Sequence, residues 1–175
     1  MTTSDIVSQL PADDLRQRFS AFLDRAEVTE LVLRFHAHID RWDWDAVPSM
    51  ITSDCSLATH IDGVPVFVNW DQGQNTGLSK KTNWREQAGI TGQHQWTNVV
   101  VDLDGDCAQV MMSGTQTNAW PDGGFEVSGV LGQGTCRRTP HGWRIAEFVG
   151  NYRSNHTRLS SYFTTEPALR GDATA

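Results

Sequence analysis

Positive charge, cysteine and long apolar runs are all scarce in this chain, and each shortage closes off a class of function. The 14 Lys and Arg residues stand against 21 Asp and Glu, a formal net charge of −7. No basic run interrupts that balance, so the electrostatic footprint of phosphate-backbone binding is missing and nucleic acid is not an expected partner. Cys55, Cys107 and Cys136 are odd in number, far apart and without C-x-x-C spacing. They read as reduced, mostly buried thiols rather than disulfides or zinc ligands. No stretch approaches the ~18 to 20 uninterrupted apolar residues of a membrane span. The acidic, polar start MTTSDIVSQLPADD also lacks the basic and apolar regions of a secretory signal. The expectation is a cytoplasmic protein with no membrane partner.

What is present suits one folded unit. A chain of 175 residues with 38% apolar content can bury a core and a cavity inside it. The expected domain runs over residues 13–154, with an N-terminal arm over 1–12 and a tail over 155–175. Pro11-Ala12-Asp13-Asp14 suits a helix N-terminus and predicts a first short helix to Ala21 or beyond. Val28, Leu31, Val32, Phe35, Ile39 and Trp42 then recur at spacings of three and four, which predicts an amphipathic helix over Glu27 to Trp42. A break at Asp43-Trp44-Asp45 precedes a short helix that holds Pro48 in its first turn. Two strands, Ser56 to His60 and Val64 to Val68, flank the hairpin dipeptide Asp62-Gly63. Between Asn69 and Gly92, glycines limit regular structure to a helix near Leu78 to Ala88.

The stretch HQWTNVVVDLDGDC, His94 to Cys107, predicts a strand that reverses at Asp104-Gly105. Three long strands follow, Ala108 to Ala119, Phe125 to Arg138 and Trp143 to Ser154, separated by turn-rich segments. Helices followed by a run of antiparallel strands is the α+β pattern. Period-two alternation places His94, Trp96, Asn98 and Val100 on one face of the first strand. A titratable imidazole therefore shares that face with an indole and an amide.

The helix DRAEVTELVLRFHAHIDRWDWDAVPSMI, the strand pair HQWTNVVVDLDGDCAQV and the closing strand GWRIAEF resemble, in that order, the SnoaL-like branch of the nuclear transport factor 2-like superfamily. The resemblance spans roughly residues 24 to 150. It implies a cone-shaped α+β barrel, a bent mixed or antiparallel sheet wrapped round N-terminal helices with a pocket inside. Members similar to scytalone dehydratase carry an Asp near the end of the long helix and a His at the start of the H-x-x-T-N strand. Asp40 and His94 occupy those positions. Relatives in the branch are commonly dimers or trimers, which implies a homo-oligomer.

An Asp-His pair has clear chemistry. The carboxylate fixes the imidazole tautomer and raises the basicity of the other nitrogen, which can take a proton beside a carbonyl and return it to a leaving oxygen. The implied activity is that of a cofactor-independent lyase (dehydratase) or isomerase acting on a small cyclic or aromatic hydroxy or keto compound. A polyketide cyclase-type enzyme is the alternative within the enzyme class. A non-catalytic ligand-binding or assembly module, such as a ring-hydroxylating oxygenase small subunit, is the alternative outside it. His94 and Asp40 in contact favour the enzyme; a filled cone with a broad exposed sheet favours the assembly module.

On the helix, Asp40 lies ~120° from the centre of the apolar stripe, with His36 one turn earlier on the same flank as a candidate partner. Gln116 and Asn118 share a strand face and are candidate donors to a carbonyl oxygen or enolate, with solvated outer-face amides as the competing reading. Asn98 is a candidate for orienting substrate, and Trp96, Trp42 and Trp120 are candidates to wall a pocket for a flat ring, drawn from 7 tryptophans. Two departures from the dehydratase pattern stand out. Ile39 replaces a tyrosine before Asp40, and Gln116, Thr117 and Asn118 fall where a second histidine or carboxylate is common.

Three motifs are set aside. Asp102, Asp104 and Asp106 lack the glycine and glutamate spacing of a calcium loop. Gly129, Gly132 and Gly134 lack the strand-turn-helix setting of a dinucleotide fingerprint. His36 and His38 diverge on a helix and make a poor metal pair. No metal or other cofactor is expected.

Overall fold

The computed structural model describes residues 11–68 and 88–153. All but the last residue of the helix expected near Leu78 to Ala88, all but the end of the N-terminal arm, and the C-terminal tail lie outside these residues. Where two helices are expected, there is one of 29 residues, α1, Ala12–Asp40. The physical reason is that neither glycine nor proline occurs between Pro11 and Pro48, so nothing in the backbone interrupts the intrahelical ladder. Its buried residues, Val28, Val32, Phe35 and His36, all lie in the second half, while Leu15, Phe19, Phe22 and Leu23 near the start are exposed.

The end of α1 is sharp. The Trp42 N–H donates to Ile39 O at 3.1 Å and the Asp43 N–H to His38 O at 2.9 Å, the paired bonds of a Schellman motif. The residue in the left-handed position is Trp42, φ +60°, where glycine is the usual occupant. This closure makes Asp40 the last helical residue. A single 3-10 turn, Val47–Ser49, follows with Pro48 at its start.

Among the described residues six strands follow: β1 Ile51–Ile61, β2 Val64–Val68, β3 Thr91–Asp104, β4 Cys107–Ala119, β5 Phe125–Thr139 and β6 Gly142–Arg153. They form an open sheet in the order β2-β1-β6-β5-β4-β3. β3 to β6 form the expected antiparallel run, and β1 lies parallel to β6, so of the two expected forms the sheet is the mixed one. The loop between β1 and β2 is Asp62-Gly63, with φ +50° and +80°, the two positive values of a type I′ turn. The β3–β4 loop sits one residue later than expected, at Gly105-Asp106, and only Gly105 has positive φ, at +57°. The concave face wraps the second half of α1 around a core that includes Val28, Val32, Phe35, Met112, Ile145 and Phe148, giving a cone-shaped α+β fold. Trp143 Nε1 donates to Asp24 Oδ1 at 3.2 Å and Arg138 pairs with the same carboxylate at 2.7 Å, tying the helix to β5 and β6.

The alternation expected along β3 fails at Asn98. The register with β4 shifts between Thr97 and Val100, and Asn98 takes φ +49°, a β-bulge. His94 and Trp96 before the bulge, and Val101 and Leu103 after it, therefore all face inward, while Asn98 and Val100 are exposed. Asparagine suits this position because its short polar side chain tolerates left-handed backbone. Here its Nδ2 donates to Ser113 Oγ at 3.1 Å. Asn98→Val is expected to lower unfolding free energy by about 1–2 kcal/mol in urea titration, and Asn98→Gly by less; a valine variant as stable as the parent would contradict this account of the bulge.

Candidate active site

Asp40 and His94 are brought together by the helix end and the sheet edge. Because β3 is an edge strand, the His94 backbone N–H points away from β4 and needs a partner. Asp40 supplies it. The His94 N–H donates to Asp40 Oδ2 at 2.8 Å, and His94 Nδ1 lies 2.6 Å from Asp40 Oδ1. Both carboxylate oxygens are used on one residue, so Asp40 holds the strand and the imidazole at once. The side chains are largely buried, 7% exposed for His94 and 16% for Asp40.

The carboxylate accepts from Nδ1, so the neutral imidazole carries its proton there and presents a lone pair at Nε2. Tyr152, from β6, meets that lone pair with its hydroxyl at 2.8 Å. Three strand spacings separate β6 from β3, ~14 Å in a flat sheet. Tyr152 and His94 touch because the sheet curls. Nothing local in the sequence marks this contact.

His36 is buried rather than standing on an open flank. Its Nδ1–H donates to Val32 O at 2.8 Å, and its ring lies 5.4 Å from that of His94, 4.7 Å from Trp96 and 4.8 Å from Phe148. Burial, reinforced by the neighbouring His94, pushes its pKa from 6.5 down to about 3, so it is neutral at ordinary pH. Trp96 stacks on His94 with the rings 5.8 Å apart and 6° from parallel.

The concave face beside the pair is polar. Across the sheet His94, Gln116 and Ser128 stand in one row, and Gly92, Asn118 and Glu126 in the next. Gln116, Asn118, Glu126 and Ser128 are all buried, which settles the question of which face the two amides occupy. Glu126 and Ser128 escaped the sequence reading; alternation along F-E-V-S-G-V, with Val130 inward, is the signal that would have found them. The Ser128 hydroxyl and Trp96 Nε1 are buried and have no hydrogen-bond partner among the described residues.

A cleft of about 580 Å³ opens beside the pair, lined among the described residues by Leu33, His36, Asp40, Gln93, His94 and Trp96 with their neighbours. Gln116 and Asn118, buried on the concave face, are not in this lining, and three other expected site residues stand away from it. Asn98 is on the outer face for the reason given above. Trp42, held by the helix-closing turn, lies 6.2 Å from Trp44, and Trp120 sits in the β4–β5 turn with its N–H on Gly124 O at 2.8 Å; neither lines the cleft. Of the cysteines, Cys55 and Cys136 are buried, with burial pushing each thiol up to about 12, whereas Cys107 is exposed. His38 turns away from His36 to Asp43, at 2.8 Å. No helix among the described residues is long and apolar enough to cross a membrane.

The profile of a family described as a SnoaL-like domain matches residues 20–149. No curated protein matches the sequence. Among solved structures, an NTF2-like protein with a cystatin-like fold from Novosphingobium aromaticivorans shares 19% identity over 88% of this chain and 97% of its own, with a TM-score of 0.68. A protein from the same organism, assigned as the beta subunit of an aromatic-ring-hydroxylating dioxygenase, shares 14% identity over 78% of this chain and 94% of its own, TM-score 0.64. LinA shares 12% over 78% and 90%, TM-score 0.65. At these identities the likeness is one of fold.

Proposed function

The chain belongs to the SnoaL-like domain family of the nuclear transport factor 2-like superfamily, and from that membership and the Asp40–His94 pair we propose a cofactor-independent lyase or isomerase acting on a small cyclic hydroxy or keto compound. The reading rests on one observation: both oxygens of Asp40 are bonded to His94, at 2.6 and 2.8 Å, leaving Nε2 as the only basic nitrogen of that ring. In this reading His94 accepts the proton released beside a carbonyl and Asp40 balances the imidazolium that forms. The cleft volume of about 580 Å³ falls within the usual range for small-molecule sites, ~300–1,000 Å³. Trp96, in the lining of the cleft, supports a flat apolar wall, and Gln116, next to His94 in its row though not in that lining, is the proposed donor to a carbonyl oxygen. Loss of water is the favoured reaction, with ring closure of a polyketide as the alternative that shares the same proton chemistry.

A second reading has its own support. Val100, Met111, Val127 and Leu131 are exposed on the convex face of the sheet, as a subunit-assembly module would require. One experiment separates the two. The wild type is expected to convert 3-hydroxycyclohexanone to the enone and to exchange its α-protons in deuterated water, and His94→Gln to lose about 100- to 10,000-fold of both rates. Equal rates in the two proteins would remove the enzyme reading and leave assembly.

A further inference from the structure

The face of α1 that meets the cleft ends in an unpaired cation. Leu33, His36, Ala37, Asp40 and Arg41 recur at spacings of one, three and four in the lining, which makes them one stripe of the helix. Arg41 closes that stripe. Its backbone, with φ −97° and ψ 3°, still follows the helix, and its N–H is used in the cap, donating to His38 O at 3.1 Å. The guanidinium is exposed and has no hydrogen-bond or ion-pair partner among the described residues. Two carboxylates close to it in the chain are engaged elsewhere, Asp40 with His94 at 2.6 and 2.8 Å and Asp43 with His38 at 2.8 Å. Arg41 therefore brings a full positive charge and uncommitted N–H donors to the cleft. Facing it in the lining, Thr91 and Gln93 on β3 add exposed polar side chains and Phe125 on β5, 64% exposed, adds an aromatic one. Apart from Asp40, no carboxylate lines the cleft among the described residues. With a net charge of −7 the chain as a whole repels anions, so a site that takes one needs a local cation.

Resting on the acid–base reading above, we propose that the substrate of this cleft is a ring that bears a carboxylate, and that Arg41 is the residue that binds the carboxylate. Guanidinium and carboxylate are planar groups matched for two parallel N–H···O bonds, so Arg41 sets the orientation of the ring as well as supplying charge. Trp96, in the same lining, then offers its face to the ring. Because Arg41 directly follows Asp40, the helix end that holds His94 also carries the anchor for the substrate. A neutral ring of the same shape forfeits that contact.

Two pairs of probes read the charge at nearly constant shape in the intact chain. The first pair, 3-hydroxy-5-oxocyclohexane-1-carboxylate and its carboxamide, can lose water and reports turnover. The second, 3-oxocyclohexane-1-carboxylate and its carboxamide, has no hydroxyl to lose and reports binding alone in a chemical-shift titration. The wild type is expected to prefer the carboxylate by about 10-fold, in KM for the first pair and in Kd for the second. Arg41→Gln should bring both ratios to about one, and Arg41→Lys, which keeps the charge without the fork, should fall between. In the titration the Arg41 Nε–H resonance should move further with the carboxylate than with the carboxamide. A wild type that binds neither member of the second pair, that binds both equally, or whose preference survives in Arg41→Gln overturns the proposal. The acid–base reading fails by a different result. A carboxylate preference that Arg41→Gln abolishes, in a protein whose turnover only matches that of His94→Gln, keeps the anion anchor and removes the catalyst; turnover that depends on His94 without such a preference does the reverse.

Discussion

Asp40→Asn should cost about 1,000- to 10,000-fold in turnover of 3-hydroxycyclohexanone while leaving the fold in place, because it inverts the protonation of His94 without changing its position. The cause lies in the two bonds that Asp40 accepts. One comes from the His94 backbone N–H, which can only donate, and the other from Nδ1, which can do either. An asparagine has one oxygen and one NH₂. The oxygen must face the backbone N–H, since the reverse would oppose two donors, and the NH₂ then faces Nδ1. Nδ1 becomes the acceptor, the proton moves to Nε2, and Nε2 turns from a base into a donor that Tyr152 must accept. Nitrogen-15 chemical shifts of the His94 ring read this exchange directly. A variant whose shifts and rate both match the wild type would refute the proposed role of Asp40. Asp40→Ala is the control: it removes the tautomer constraint and also leaves an edge-strand N–H without its partner, so it should lose stability where Asp40→Asn keeps it.

What could be read from sequence follows the range of the physical signal. The β1–β2 turn was legible because Asp62-Gly63 meets a local demand for two positive φ values, and the later strands because turn-forming residues separate them. Asp40 and His94 were reachable only through resemblance, since 54 residues separate them and periodicity put Asp40 off the apolar stripe. The bulge at Asn98 was missed by carrying one alternation through the strand. Yet two inward sets, His94 with Trp96 and Val101 with Leu103, are out of phase in the sequence, and an asparagine lies between them. Tyr152 lay beyond any local rule. Its contact with His94 depends on the strand order β6-β5-β4-β3 and on how tightly that sheet curls, with Gly114 and Gly132 contributing inner-face positions where a Cβ would come within 2.2 Å of Gln95 O or 2.6 Å of Phe148 Cζ.

The second large effect concerns acid, and it arises from His36 rather than from the pair it supports. In the unfolded chain this imidazole titrates near 6.5; in the fold, burial among Phe35, Trp96 and Phe148 lowers it to about 3. Between those values the unfolded chain holds a proton that the native state does not, so stability falls as pH falls, by up to about 1.4 kcal/mol per pH unit. By pH 3 the loss from this one group should reach about 3–5 kcal/mol, a large part of the net stability of an ordinary domain. His36→Leu keeps the apolar contacts. The bond it deletes is a second one to Val32 O, a carbonyl already placed to accept the His36 backbone N–H within α1. The variant should therefore show a flatter decline of urea-unfolding free energy between pH 6.5 and 4 than the wild type, and parallel curves would show that His36 does not govern acid stability. The same burial bears on the site. His94, 5.4 Å away, must become positively charged in the proposed cycle, and a neighbour that cannot hold a proton at ordinary pH neither competes for it nor repels the imidazolium. His36 thus gives His94 the packing of an aromatic ring with no charge attached, at the expense of stability in acid.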